Sequence, residues 1–224
     1  MISYSMISRP GSRQCNEDSV EMCTMEGDYV FTLADGLGGH GGGDEASACV
    51  TGEAIDVFRR ERDSSEYLSH AFENAQQWLL QKKAQKGKKE EMKSTMVVLQ
   101  ITEKQIRWGH IGDSRLYYFH KDRMVSRTLD HSVPQMLVLG GQIKESEIRH
   151  PAVYGVSIDN AHTLSQPSSV LLVCDTGIHE SVTDDDLSLF YCRGDHIMDM
   201  LGSGSRIKKC LCNSGHLPVR RIKD

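Results

Sequence analysis

With 224 residues, 38% of them apolar, and a formal net charge of −5, the chain can bury a sizeable core and is too acidic for a general nucleic-acid binder. No Pro/Ser-rich linker or break in composition divides it, so a single domain over residues 1–224 is expected. No apolar run is long enough to span a bilayer and the first residues lack a basic segment leading into an apolar stretch, which predicts a soluble, cytoplasmic protein.

In chain order, residues 29–34 read as a buried strand, apolar and rich in aromatic and β-branched side chains, stopped by Asp35-Gly36. Residues 44–62 follow as a helix, because Ala46, Cys49, Val50, Ala54, Val57 and Phe58 recur at helical spacing. Residues 65–83 repeat that stripe through Leu68, Phe72, Ala75, Trp78 and Leu79. The lysine-rich run at residues 82–89 reads as a solvated helix end and loop. Strands are expected at residues 94–102, 105–111 and 115–119, with Glu103-Lys104 as a tight hairpin turn. Short helical pieces at residues 132–139 and 144–149 flank Gly140-Gly141. Residues 170–175 form another strand, and residues 184–191 start a helix with acids in its first turn. Seven cysteines, an odd number without regular spacing, suit a reducing compartment. Cys210-x-Cys212 with His216 nearby lacks the fourth ligand and the paired spacing of a zinc site. Two long helices on a largely antiparallel sheet make an α+β layered fold.

The chemistry concentrates at Asp35, which ends the apolar strand 29–34 and opens the glycine-rich run of residues 36–43. A carboxylate there, followed by a tight turn, can offer a metal its side chain and the carbonyl of Gly36, both hard oxygen donors suited to a divalent cation. Upstream, Arg13-Gln14-Cys15-Asn16-Glu17-Asp18 carries an acidic pair; downstream, Gly112-Asp113-Ser114-Arg115 carries another acid at a turn.

These blocks resemble the metal-dependent protein serine/threonine phosphatases of the PP2C (PPM) family, in their compact bacterial form. The shared elements are Arg-x-x-Asn-Glu-Asp at residues 13–18, Ala-Asp-Gly-x-Gly-Gly-His at 34–40, Ser-Thr-Met-Val-Val-Leu at 94–99, Gly-Asp-Ser-Arg at 112–115 and Asp-His-Ser at 130–132. The resemblance implies a four-layer α-β-β-α sandwich of two largely antiparallel sheets flanked by helices, with metals at one sheet edge. It implies two Mn²⁺ or Mg²⁺ ions, with a third near Asp113, and hydrolysis of phosphoserine and phosphothreonine in proteins by water activated between the ions. Two such cations neutralise a phosphomonoester and lower the pKa of a shared water. Asp35 would bridge the ions and Gly36 lend its carbonyl, while Glu17 and Asp18 hold metal-bound waters. Arg13 would clamp the substrate phosphate, a task that suits the guanidinium fork. The implied partners are phosphorylated proteins and a counterpart Ser/Thr kinase. Leu37 stands where animal-type members carry a histidine, so His40 and His131 are expected to pack their loops rather than act as acids.

The C-terminal third departs from the pattern. Its apolar strand should end in Ser/Thr-Asp-Gly, but the chain reads Cys174-Asp175-Thr176-Gly177, which puts Thr176 at the ligand position and Asp175 one residue early. In a strand, that shift reverses the face unless the backbone bends. The last expected Asp-Asn is missing near the C-terminus, where Asn213-Ser214-Gly215-His216 stands, and His216 is a candidate replacement ligand. A catalytically weak or inactive module that binds phosphorylated or folded proteins is therefore the alternative reading.

Overall fold

The structure is a computed structural model. It describes residues 14–37, 42–86, 92–120, 123–148, 162–164 and 169–174, together with Ile2, Tyr4, Met6, Ser8 and Pro10. In chain order it contains strands β1 (Asp18–Met25) and β2 (Asp28–Leu37), then helices α1 (Gly43–Glu61) and α2 (Tyr67–Lys86). Strands β3 (Lys93–Ser94), β4 (Met96–Ile101), β5 (Ile106–Ile111), β6 (Arg115–His120) and β7 (Arg123–Arg127) follow, then helix α3 (Val133–Leu139) and strands β8 (His162–Leu164) and β9 (Ser169–Cys174). One six-stranded sheet runs β1-β2-β4-β5-β8 with β3 beside β2, and a three-stranded sheet runs β7-β6-β9. Every pairing is antiparallel.

Sequence pattern explains the layering. Along β2, Val30, Thr32 and Ala34 are buried, whereas Tyr29, Phe31, Leu33 and Asp35 alternate with them on the other face. The first face packs under the helices: α1 contributes Ala46, Val50, Ala54, Val57 and Phe58, and α2 contributes Leu68, Ala71, Phe72 and Ala75 to one core with Val30 and Val98. The second face forms a separate core in which Val97, Leu99, Ile101, Ile106 and Trp108 meet Leu116 of β6, so it lies between the sheets. Gly109 on β5 admits α2 to the sheet, since a Cβ there would stand 2.7 Å from the Phe72 ring.

Turns and one buried cation fix the connections. Glu26 and Gly27 have φ of 53° and 92°, the paired positive values of a tight hairpin turn whose twist matches its strands. Thr102 N–H donates to the Gln105 carbonyl at 2.9 Å, which closes the expected turn at Glu103-Lys104. Arg107, 7% exposed, donates to the Ser64 and Ser65 carbonyls at 2.9 and 3.0 Å and to Gln100 Oε1 at 2.8 Å, tying the α1–α2 connection to the sheet.

This is an α+β sandwich of two antiparallel sheets. The two long helices and the two sheets account for three layers; the chain left to supply a fourth lies outside the described residues. Strands β1, β7 and β8 are additions to the sequence reading. β1 lacks an apolar run because its side chains are half-buried on both faces. Residues 144–149 shrink to one 3-10 turn at Glu145–Glu147. The expected helix at 184–191 falls outside the described residues, as does the Cys210 to His216 segment. Among the described residues, no helix is long and apolar enough to cross a membrane.

Candidate metal centre

Strand register brings the first two carboxylates together. Asp18 stands directly opposite Asp35. The next pair outward is hydrogen-bonded, Gly36 N–H donating to the Glu17 carbonyl at 3.0 Å, so Asp18 and Asp35 form a non-hydrogen-bonded pair, the class in which Cα atoms approach to about 4.5 Å. Alternation puts both on the face that looks between the sheets, at the open end of that core.

Main-chain hydrogen bonds hold these carboxylates in place. Asp18 N–H donates to Asn16 Oδ1 at 3.2 Å, which assigns the asparagine of the Arg-x-x-Asn-Glu-Asp block to shaping the entry to β1. The Glu17 carbonyl also accepts from Ser47 Oγ at 2.6 Å, joining the first turn of α1 to β1. The Glu17 carboxylate rests at the start of α1, where a Cβ on Gly43 would stand 3.0 Å from its Oε1. A helix N-terminus favours a negative charge there. Gly36 packs main chain to main chain on the same turn, and its carbonyl oxygen would lie 2.8 Å from a Cβ on Gly43.

The third acid arrives on the corner between the sheets. β5 belongs to the larger sheet and β6 to the smaller, so Gly112-Asp113-Ser114 carries the chain from one to the other. Asp113 is 5% exposed. Gly112 has φ of +97° and sits tight on Thr95, whose Cγ2 would be 2.6 Å from an added Cβ. Arg115 pairs with Asp130 rather than with Asp113: Nε and one terminal nitrogen donate at 2.6 and 2.7 Å in a two-pronged contact. Burial works against the Arg115 charge, and the hydrogen bonds and charges of Asp130 and Tyr117 together outweigh it, so its pKa is raised. The Asp-His-Ser block is thus an anchor for this corner. His131 stacks on buried His110 at 4.4 Å and its N–H donates to the Gly112 carbonyl at 2.9 Å, while Ser132 Oγ caps α3 by accepting from Gln135 N–H. His131 packs its loop, as expected.

β9 runs to the same end, with Cys174 opposite Arg115. Asp18, Asp35, Gly36 and Glu17 are therefore gathered at one end of the sandwich, with Asp113 on the adjoining corner. Among the described residues no three His, Cys, Asp or Glu side chains close on a single point that could hold a metal. Arg13, His40, Asp175, Thr176 and His216 lie outside the described residues. The donors present are carboxylate and carbonyl oxygens, the set that hard divalent cations prefer. Ser94 and Thr95, and Ser114 through Thr95, hold the Asp35 main chain from behind; sequence reasoning quoted their blocks but gave these three residues no role.

A family model described as Protein phosphatase 2C matches residues 8–136. The chain belongs to the protein phosphatase 2C family. The match takes in every block from Arg13 to Ser132 and stops before the departing C-terminal third. A protein named Serine/threonine phosphatase stp from Listeria innocua is 29% identical over 181 residues, 70% of this chain and 69% of that protein. A solved bacterial serine phosphatase superposes with a TM-score of 0.74 at 24% identity, over 91% of this chain and 90% of that one. The catalytic domain of the serine/threonine phosphatase PstP, solved with two manganese ions, gives a TM-score of 0.64 at 23% identity over 88% and 82% of the chains.

Proposed function

We propose that this PP2C-family chain is a metal-dependent phosphatase that hydrolyses phosphoserine and phosphothreonine in proteins. The observation that carries it is the Asp18–Asp35 register, which sets two carboxylates directly opposite each other at one sheet end, beside the corner that bears Asp113. Divalent cations, when bound, neutralise the phosphate dianion and make water nucleophilic near neutral pH. Asp35 and the Gly36 carbonyl would hold these cations. Asp18 and Glu17 orient the surrounding waters, and Asp113 and Asp175 complete the acidic set. Arg13 holds the substrate phosphate with paired N–H donors. Mn²⁺ suits this set as well as Mg²⁺ does, and a manganese-bound relative supports it. The substrates are phosphoproteins of the cytoplasm, made by an opposing Ser/Thr kinase; the serine/threonine phosphatase relative supports that class.

The second reading, a binding module with little turnover, is favoured by Thr176 at the expected ligand position. One experiment separates them: hydrolysis of a phosphothreonine peptide and of para-nitrophenyl phosphate, titrated with Mn²⁺ and Mg²⁺, beside Asp35→Asn. Metal-dependent turnover that disappears in Asp35→Asn is the expected result. A folded wild-type protein without turnover would favour the binding module, and turnover unchanged in Asp35→Asn would remove Asp35 from the reaction.

A further inference from the structure

We propose that Ser114 is a positioning residue for Asp35, acting through the hydroxyl of Thr95; this rests on the reading of Asp35 as a metal-holding carboxylate. The Asp35 peptide is held on both sides. Its N–H donates to Thr95 Oγ1 at 2.9 Å, and its carbonyl accepts from Thr95 N–H at 2.9 Å and from Ser94 Oγ at 3.1 Å. Thr95 Oγ1 in turn lies 2.7 Å from Ser114 Oγ. Both hydroxyl residues are buried, at 2% and 1% exposure, so water is no substitute partner.

The rotamer of Thr95 is fixed by shape as well as by hydrogen bonds. Its Cγ2 and Cβ press on Gly112, where an added Cβ would stand 2.6 and 2.9 Å away. With the methyl wedged on one side, the hydroxyl faces Asp35 N–H and Ser114 together. Ser114 follows Asp113 on the corner between the sheets, so the two hydroxyls link the main chain of Asp35 on one sheet to the residue beside Asp113. The relay sets the spacing of two carboxylates that come from different sheets. Removing the Ser114 hydroxyl takes away the 2.7 Å neighbour that, together with the wedged methyl, keeps Thr95 Oγ1 on Asp35 N–H, and that hydrogen bond loosens.

Partners that orient metal ligands from behind typically change metal affinity by about 10- to 100-fold when removed. The test uses the full chain carrying Ser114→Ala, Thr95→Val, Thr95→Ser or both Ser114→Ala and Thr95→Val. Mn²⁺ affinity is measured by titration calorimetry, Tm without metal, and kcat and KM on a phosphothreonine peptide. Ser114→Ala is expected to weaken Mn²⁺ binding about tenfold and to lower kcat with KM little changed. Thr95→Val should weaken binding at least as much, Thr95→Ser should stay near wild type, and Ser114→Ala should add little on top of Thr95→Val because both cut one link. Ser114→Ala with wild-type Mn²⁺ affinity, even with a lowered Tm, overturns the proposal and leaves the serine a packing residue. Strictly additive effects of the two substitutions overturn it as well. A wild-type chain that takes up no Mn²⁺ removes the metal reading and this inference together, whereas binding in wild type that is lost in Asp35→Asn keeps the metal reading whatever Ser114→Ala does.

Discussion

Replacing Gly36 with alanine isolates the close approach that shapes the centre. Gly36 is not among the residues with positive φ, so alanine meets no backbone penalty there. Narrowing the unfolded chain would even favour it by about 0.4–1 kcal/mol. Sterics oppose this: an added Cβ would stand 2.0 Å from the Gly43 carbonyl oxygen, 2.4 Å from its carbon and 2.6 Å from the Glu17 carbonyl oxygen. All three are main-chain atoms, so no side-chain rotation relieves them, and the start of α1 must retreat by more than an ångström. Overpacking of this kind costs about 1–3 kcal/mol, and contacts this short belong at the upper end, leaving a net loss of about 2 kcal/mol. For a domain of this size that corresponds to a Tm lower by about 4–8 °C. Gly52, in the interior of α1, is the control, because nothing lies within 4 Å of its added Cβ. Gly52→Ala should gain about 0.5–1 kcal/mol from helix propensity. Thermal denaturation of the two variants, with Mn²⁺ affinity alongside, makes the comparison; Mn²⁺ binding should weaken only in Gly36→Ala. If Gly36→Ala raises Tm as Gly52→Ala does, the packing of β2 on the start of α1 is wrong.

Two further outcomes follow from charge placement. Arg115→Met strands the carboxylate of Asp130, 3% exposed, in the interior and should cost about 3–5 kcal/mol in urea denaturation, while adding Asp130→Asn recovers part of the loss; a cost below about 1 kcal/mol would mean that the pair does not anchor the corner. The hydrogen bond that His70 Nδ1 donates to the Glu61 carboxylate raises the pKa of His70, so the stability this pair adds is complete below the ordinary histidine value and fades as pH rises through the raised one. The Tm deficit of His70→Gln should accordingly be larger near about pH 5.5 than near about pH 8, and a deficit that grows with pH would refute the pairing.

Much of the centre was legible because each block states a local rule. The apolar run that leads into Asp35-Gly36 marks one carboxylate, although β2 runs on through Leu37 instead of stopping there, and Gly112 with its positive φ marks the corner that bears Asp113. What pattern could not supply was register. Nothing in residues 18–25 announces a strand, because Val20 and Met22 alternate with half-buried polar neighbours, yet the tight turn at Glu26-Gly27 alone dictates that Asp18 meets Asp35. The partner of Arg115 is hidden from sequence for a similar reason. Asp113 lies two residues away in sequence, but neighbours two apart at a strand start need not share a site, and Asp130 reaches the guanidinium only through the fold. The hydroxyls of Thr95 and Ser114 are 19 residues apart and carry no spacing signal at all.

The C-terminal third turns on one residue of parity, and the sheet register bears on it. Leu116 belongs to the core between the sheets, on the side where Asp18 and Asp35 lie, and it stands opposite Val173 on β9. Cross-strand partners share a face, and a strand alternates with period two. Were that alternation to continue past Cys174, position 175 would share the parity of 173 and position 176 that of 174. An alignment to the family pattern picks Thr176 as the ligand position, whereas unbroken alternation would pick Asp175; both lie outside the described residues. Mn²⁺ titration of Asp175→Asn and Thr176→Ala decides between them. Asp175→Asn should weaken binding far more than Thr176→Ala, and Thr176→Asp should bring no gain, because its carboxylate would start from the wrong face. The reverse ranking, or a rise in activity with Thr176→Asp, would mean that the chain bends directly after Cys174 and that the alignment, not the alternation, marks the ligand.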